Sequence, residues 1–147
     1  MIHIHYFDTR EKEYAPLIAE YTKRLRSVTL FSHQSGKGTI DQIRHHDSNH
    51  YAAVIKKKYQ TDWYRVLLDE RGKDCDSLGF AAMLSSQINC VFFLGGTYGL
   101  DSSLLAPLIE YRLRFGAMTM HHILIKLVLL EQIWRADCIN HGREYHR

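Results

Sequence analysis

The run Cys90-Val91-Phe92-Phe93-Leu94, stopped by Gly95-Gly96, constrains the fold more than any other stretch of this sequence. Five consecutive apolar residues have strand length, and without polar alternation such a strand must be covered on both faces. A parallel sheet with helices on either side meets that demand, so the run predicts an α/β domain. Ile2 to Phe7, Val28 to Phe31 and Tyr64 to Asp69 read as further strands, with a weaker one at Leu113 to Ala117. Tyr14, Leu17, Ile18, Tyr21 and Leu25 recur at three- and four-residue spacing and predict a helix over Glu11 to Arg26. Further helices are expected over Tyr51 to Tyr59, from a Ser77 cap with Phe80, Ala81 and Leu84 inward, from Ser102 or Ser103 to about Tyr111, and over His122 to Cys138. The stretch around His45-His46-Asp47 reads as polar loop or frayed helix. No linker interrupts the pattern, so residues 1–147 are expected to form a single domain.

A chain of 147 residues that is 46% hydrophobic can build one core without metal or disulfide staples. Its three cysteines, Cys75, Cys90 and Cys138, are far apart and form no CxxC pair, which fits buried thiols in a reducing compartment. The N-terminal residues become charged before any signal-peptide core could form. The apolar stretch from Ile123 to Leu130 is interrupted by Lys126 and is too short for a membrane span. A soluble, cytoplasmic protein is expected. Net charge is only +3, but Met1–Gln60 carries ten Lys/Arg against six Asp/Glu. Clusters such as Lys23-Arg24-Leu25-Arg26 and Lys56-Lys57-Lys58 suit a polyanionic partner, and equally suit solvated helix faces.

Four places carry candidate chemistry. Gly95-Gly96-Thr97-Tyr98-Gly99 follows the buried strand, where an open α/β sheet binds ligands and where glycine lets backbone approach them. Its spacing matches neither GxGxxG nor a P-loop. Leu68-Asp69-Glu70-Arg71-Gly72-Lys73 is a second strand end entering a turn. Phe115-Gly116-Ala117-Met118-Thr119-Met120 has small and apolar side chains that leave backbone groups free for an adenine edge. The helix after it is apolar on nearly every side, which a deep core or a partner subunit would satisfy. Adjacent His121-His122 and the other imidazoles lack zinc spacing, so no metal is expected. Glu131 and Arg135 form an i,i+4 pair, by default a helix-surface salt bridge.

Taken in order, Leu68-Asp69-x-x-Gly72-Lys73, Ser77-x-x-Phe80-Ala81, Phe93-Leu94-Gly95-Gly96-x-x-Gly99, Met118-Thr119-x-x-His122, Leu130-Glu131-Gln132-Ile133-x-Arg135-Ala136 and Tyr145-His146-Arg147 resemble one family. The chain is similar to the RlmH group of SPOUT methyltransferases, which methylate N3 of a pseudouridine in large-subunit ribosomal RNA. The resemblance runs nearly end to end. It implies a mainly parallel sheet flanked by helices with a C-terminal trefoil knot, a homodimer, S-adenosylmethionine as cofactor, and ribosomal RNA or the assembled ribosome as partner. It carries cofactor contacts onto Leu68, Gly95, Phe115, Gly116, Ala117, Met118, Thr119 and Met120. Catalytic roles fall on Glu131, Arg135, Tyr145, His146 and Arg147, with His146 as proton acceptor and Arg147 favouring the anionic base. RNA contacts are expected at His122, Lys126, Lys23 and Arg24. The sequence departs from the family at His121, where proline is common, at Lys126, where arginine is usual, and at Thr97-Tyr98. An RNA-binding module without turnover, a SPOUT enzyme with another RNA target and an unrelated nucleotide-binding enzyme are the alternatives. Methyl-transfer assay separates the first of these.

Overall fold

The computed structural model describes residues 1–8 and 12–146. Along the chain run β1 (Ile2–Phe7), α1 (Ala15–Arg24), β2 (Val28–His33), α2 (Ile40–Lys58), β3 (Tyr64–Lys73), α3 (Ser77–Ser85), β4 (Cys90–Phe93), α4 (Ser102–Leu105), a 3-10 turn (Ala106–Leu108), β5 (Tyr111–Leu113) and α5 (His122–Asn140). The five strands form one sheet in the order β2-β1-β4-β3-β5, every pair parallel. The apolar run is the central strand, and all of Cys90 to Leu94 is buried. Its side chains alternate between two cores. Cys90 and Phe92 face the layer of α1, α3 and α5, while Val91 and Phe93 face α2 and α4. Phe92 and Phe93 are wholly enclosed, each contributing about 2–3 kcal/mol of burial.

The segment from 45 to 50 is helical, continuous with α2, and not a loop. Its polar residues are helical because tertiary partners satisfy them. Buried Asp47 accepts from the Gly36 amide at 2.8 Å and from the Ser35 hydroxyl, and the Ser48 hydroxyl accepts from the Asp101 amide at 2.8 Å. One turn later, Tyr51 donates to the Leu94 carbonyl at 2.7 Å. Thr39 and Gln42 form a reciprocal capping box that starts α2, which sequence periodicity alone did not place. Beside it runs a chain of polar rings: His50 to His33 at 2.9 Å, His33 to His5 at 2.7 Å, His5 to Tyr59 at 2.7 Å and Tyr59 to His3 at 2.9 Å. It joins α2 to β1 and β2.

Other boundaries also move. Asp76, not Ser77, caps α3 by accepting from the Gly79 amide, and Ser77 instead donates to Gln132 of α5 at 2.8 Å. The expected helix to Tyr111 is one turn of α4 and a 3-10 turn, and β5 begins at Tyr111 and ends at Leu113. Strand β3 continues past Asp69, but Leu68 and Lys73 both register against Leu113, so residues 69–72 bulge from the ladder. Gly72 makes that bulge fit, since a Cβ there would lie 2.7 Å from the Arg112 carbonyl oxygen. The three cysteines are free, with Cys90 and Cys138 buried.

Candidate functional site

The carboxyl ends of β3, β4 and β5 open into one cleft of about 480 Å³. Leu68 to Arg71 form one wall, Gly95 and Thr97 to Leu100 a second, and the segment from Leu113 to Met120 much of the third. A volume of this size lies in the range of small-molecule sites. Ion pairs hold the walls. Asp69 accepts from Arg112 at 2.6 and 3.1 Å and from the Arg71 amide at 2.9 Å. Burial would raise the Asp69 carboxyl, but the Arg71 amide and Arg112 outweigh it and hold it below its ordinary range. Thr119 donates to Glu70 at 3.0 Å, tying the third wall to the β3 bulge. Arg44, from α2, donates through Nε to the Tyr98 carbonyl at 3.1 Å and fixes the glycine loop. At Gly95 a Cβ would sit 3.2 Å from Gly99 Cα and 3.4 Å from Leu100 Cγ, so any side chain displaces that loop.

A second cluster lies along α5. Glu131 accepts from Arg135 at 2.6 Å and from the Tyr145 hydroxyl at 3.1 Å. The Arg135 guanidinium lies 4.8 Å from the centre of the Tyr145 ring. Burial, with Tyr21 and Glu131 alongside, pushes the Tyr145 hydroxyl up to about 12, so it stays a donor at neutral pH. His146 presents Nδ1 to Arg135 Nη1 at 3.4 Å. Arg135 can only donate, so Nδ1 is the unprotonated nitrogen in this contact. His122, at the start of α5, lines the cleft, yet Glu131 and Arg135 lie nine and thirteen residues further on. At ~1.5 Å rise per residue they are about 14 and 20 Å along the axis from His122, and about 9 and 15 Å from Ile125, the last α5 residue in the cleft wall.

The family profile described as "Predicted SPOUT methyltransferase" matches residues 1–146. The chain belongs to the SPOUT methyltransferase family. It is 33% identical to the Ribosomal RNA large subunit methyltransferase H of Campylobacter jejuni subsp. doylei over 147 aligned residues, covering 96% of this chain and 91% of that one. Proteins of the same name from Campylobacter hominis (32% identical, 99% of this chain and 98% of the relative) and Sulfurovum sp. (31%, 94% and 92%) align as fully.

In this SPOUT methyltransferase, the residues expected around the cofactor are distributed unevenly. Leu68, Gly95, Phe115, Gly116, Met118, Thr119 and Met120 line the cleft, whereas Ala117 does not. His122, expected at RNA, lines the same cleft. Lys126, expected as an RNA contact, is buried, with its ammonium 3.7 Å from the centre of the Tyr6 ring. Burial lowers its pKa, and Asp8 partly restores it. A lysine so enclosed packs β1 against α5. Lys23 and Arg24 are exposed on α1, with Arg24 paired to Glu20 and 5.8 Å from the Trp134 ring. Glu131, Arg135, Tyr145 and His146 come together, while Arg147 lies outside the described residues. Arg44, Glu70, Arg71 and Tyr98 also line the cleft and had no assigned role. Glu70 and Arg71 sit inside a motif that sequence reading singled out. Arg44 gives no signal, because the carbonyl it holds is 54 residues away. Among the described residues no group of His, Cys, Asp or Glu is arranged to hold a metal ion, and no helix is long and apolar enough to cross a membrane.

Proposed function

We propose that this protein transfers a methyl group from S-adenosylmethionine to N3 of a pseudouridine in large-subunit ribosomal RNA, acting in the cytoplasm as a homodimer with its C-terminal segment threaded through a trefoil knot. The observation that carries the reading is the cleft itself. A SPOUT chain brings Leu68, Gly95 and the 115–120 segment together at the carboxyl ends of its parallel strands. The large-subunit RNA substrate follows the names of the relatives, and the pseudouridine follows the motif resemblance.

When bound, S-adenosylmethionine supplies an electrophilic methyl on a sulfonium. Backbone of residues 115–120 and the close approach at Gly95 suit an adenine and its ribose, and Leu68, Leu100, Met118 and Ile125 give the cleft apolar lining. The protein's remaining work is alignment and removal of the imide proton from N3. His146 Nδ1 takes that proton when the substrate displaces its long contact with Arg135. Glu131 orients Arg135 and Tyr145 and offsets the positive charge that then gathers. Because this cluster sits about 9–15 Å of helix beyond Ile125, the last α5 residue lining its own cleft, it serves the cleft of a partner subunit. Half-buried Leu124, Leu127, Val128 and Trp134 on α5 give such a partner apolar surface to cover.

The test is incorporation of labelled methyl into undermethylated ribosomes by the purified protein, followed by nuclease mapping of the modified nucleotide. Label in a large-subunit pseudouridine supports the reading. Cofactor binding without incorporation identifies an RNA-binding module instead.

A further inference from the structure

Next to the cofactor cleft lies a second, solvent-open cleft of about 650 Å³. The two share Arg44, Arg71, Leu100 and Ser102 in their walls, so one continuous groove leads from the surface to the cofactor site. Six other arginines in the described chain form ion pairs with carboxylates. Among the described residues Arg26, Arg44 and Arg71 have no such partner, and of these three Arg44 and Arg71 line both clefts while Arg26 lines neither. Asp41 and Asp101 line the outer cleft as well, but Asp101 is occupied in capping α4, accepting from the amides of Ser103 and Leu104 and from the Ser103 hydroxyl.

Local structure aims both arginines. The bulge at residues 69–72 lifts Arg71 out of the sheet, and Asp69 pins its backbone amide while the side chain stays exposed. Arg44, which lines both clefts, is held through Nε by the Tyr98 carbonyl, so that bond does not occupy its terminal nitrogens. Guanidinium groups match phosphate oxygens in fork geometry, and phosphate contacts set the register of a nucleic acid on its protein.

We propose that Arg44 and Arg71 form a phosphate subsite that receives the RNA backbone beside the target nucleotide. The proposal rests on the RNA reading of the active site. An anion here has two sources, an RNA phosphate or the amino-acid carboxylate of the cofactor, and the groove's opening to solvent favours the phosphate.

The deciding variants are Arg71→Gln and Arg71→Lys, since Arg44 also holds the glycine loop. Affinity for undermethylated large ribosomal subunits is measured by filter binding across a salt series, and S-adenosylmethionine affinity by calorimetry. With Arg71→Gln, RNA affinity falls about tenfold and the plot of log K against log salt becomes shallower by about 0.7–0.9, the change for one lost phosphate contact. Arg71→Lys restores most of the slope, and cofactor affinity stays within twofold in both. Loss of cofactor affinity with an unchanged salt slope assigns the arginines to the carboxylate and overturns the proposal. Wild-type values for both affinities overturn it too. A wild-type protein that binds and methylates no large-subunit RNA removes the RNA reading itself, and the subsite with it.

Discussion

Gly95 and the Glu131 cluster are single-residue tests of two different sites. A valine at position 95 cannot fit without moving Gly99 and Leu100, both part of the cleft wall. Gly95→Val is therefore expected to weaken S-adenosylmethionine binding at least about tenfold, while circular dichroism and melting show a folded domain. Wild-type affinity in a folded variant would place the cofactor elsewhere. His146→Ala should leave cofactor affinity intact and lower the rate of methyl transfer about a hundredfold, the low end for losing a general base. Turnover near wild type would leave the proton acceptor unassigned. At this scale the sequence was legible where chemistry is local. The glycines after β4 announced a turn that lines the cleft, because a strand end and a tight backbone approach lie together in the chain. Arg44 was not legible, because it acts on Tyr98 across 54 residues of chain. The burial of Lys126 was not legible for a related reason: a charge in sequence looks solvent-bound, and only the fold puts Tyr6 beneath it.

The elements were read from periodicity, which worked for β1, β4 and α5 and failed for the first half of α2. Polar His45 to His50 carry no helical stripe, and they are helical because Asp47, Ser48 and Tyr51 bond to loops distant in sequence. The ring chain that docks α2 on β1 and β2 has its own consequence. In one direction His50 donates to His33, His33 to His5, His5 to the Tyr59 hydroxyl and Tyr59 to His3, so all four bonds can be made by uncharged rings. Burial, then the neighbouring His33, His3, Lys58 and His50, lower the His5 pKa to about 3, and burial also lowers those of His3 and His33. His3, His5 and His33 are neutral in the folded protein near pH 7, so they cost nothing there. As pH falls below about 6.5 the unfolded chain takes up protons that the folded chain refuses, and stability is lost progressively down to about pH 3. His5 alone accounts for about 2 kcal/mol at pH 5, from 1.5 units below its ordinary value. Melting temperature should drop steadily from pH 7 to pH 5, and more gently in His5→Gln. An unchanged melting temperature over that interval would contradict the neutral chain.

On the scale of the whole molecule, one chain holds a cleft at one end of α5 and the cluster of Glu131, Arg135, Tyr145 and His146 further along it. The order of these residues in the sequence does not reveal that separation, which depends on the length of a straight helix. If the tail serves a partner's cleft, two crippled chains should rescue each other. Mixing Gly95→Val with His146→Ala pairs an intact tail with an intact cleft at one of the two sites of each mixed dimer. With random exchange, half the dimers are mixed, so about a quarter of wild-type activity should return. No recovery after verified subunit exchange would mean that each tail acts on its own chain. The central claim, methylation of large-subunit ribosomal RNA, is tested most directly by mass mapping of that RNA from cells lacking the gene. The expected result is one pseudouridine short of a single methyl group, restored by the wild-type gene and not by Gly95→Val. Ribosomal RNA with the same modifications in the presence and absence of the gene would contradict the assignment.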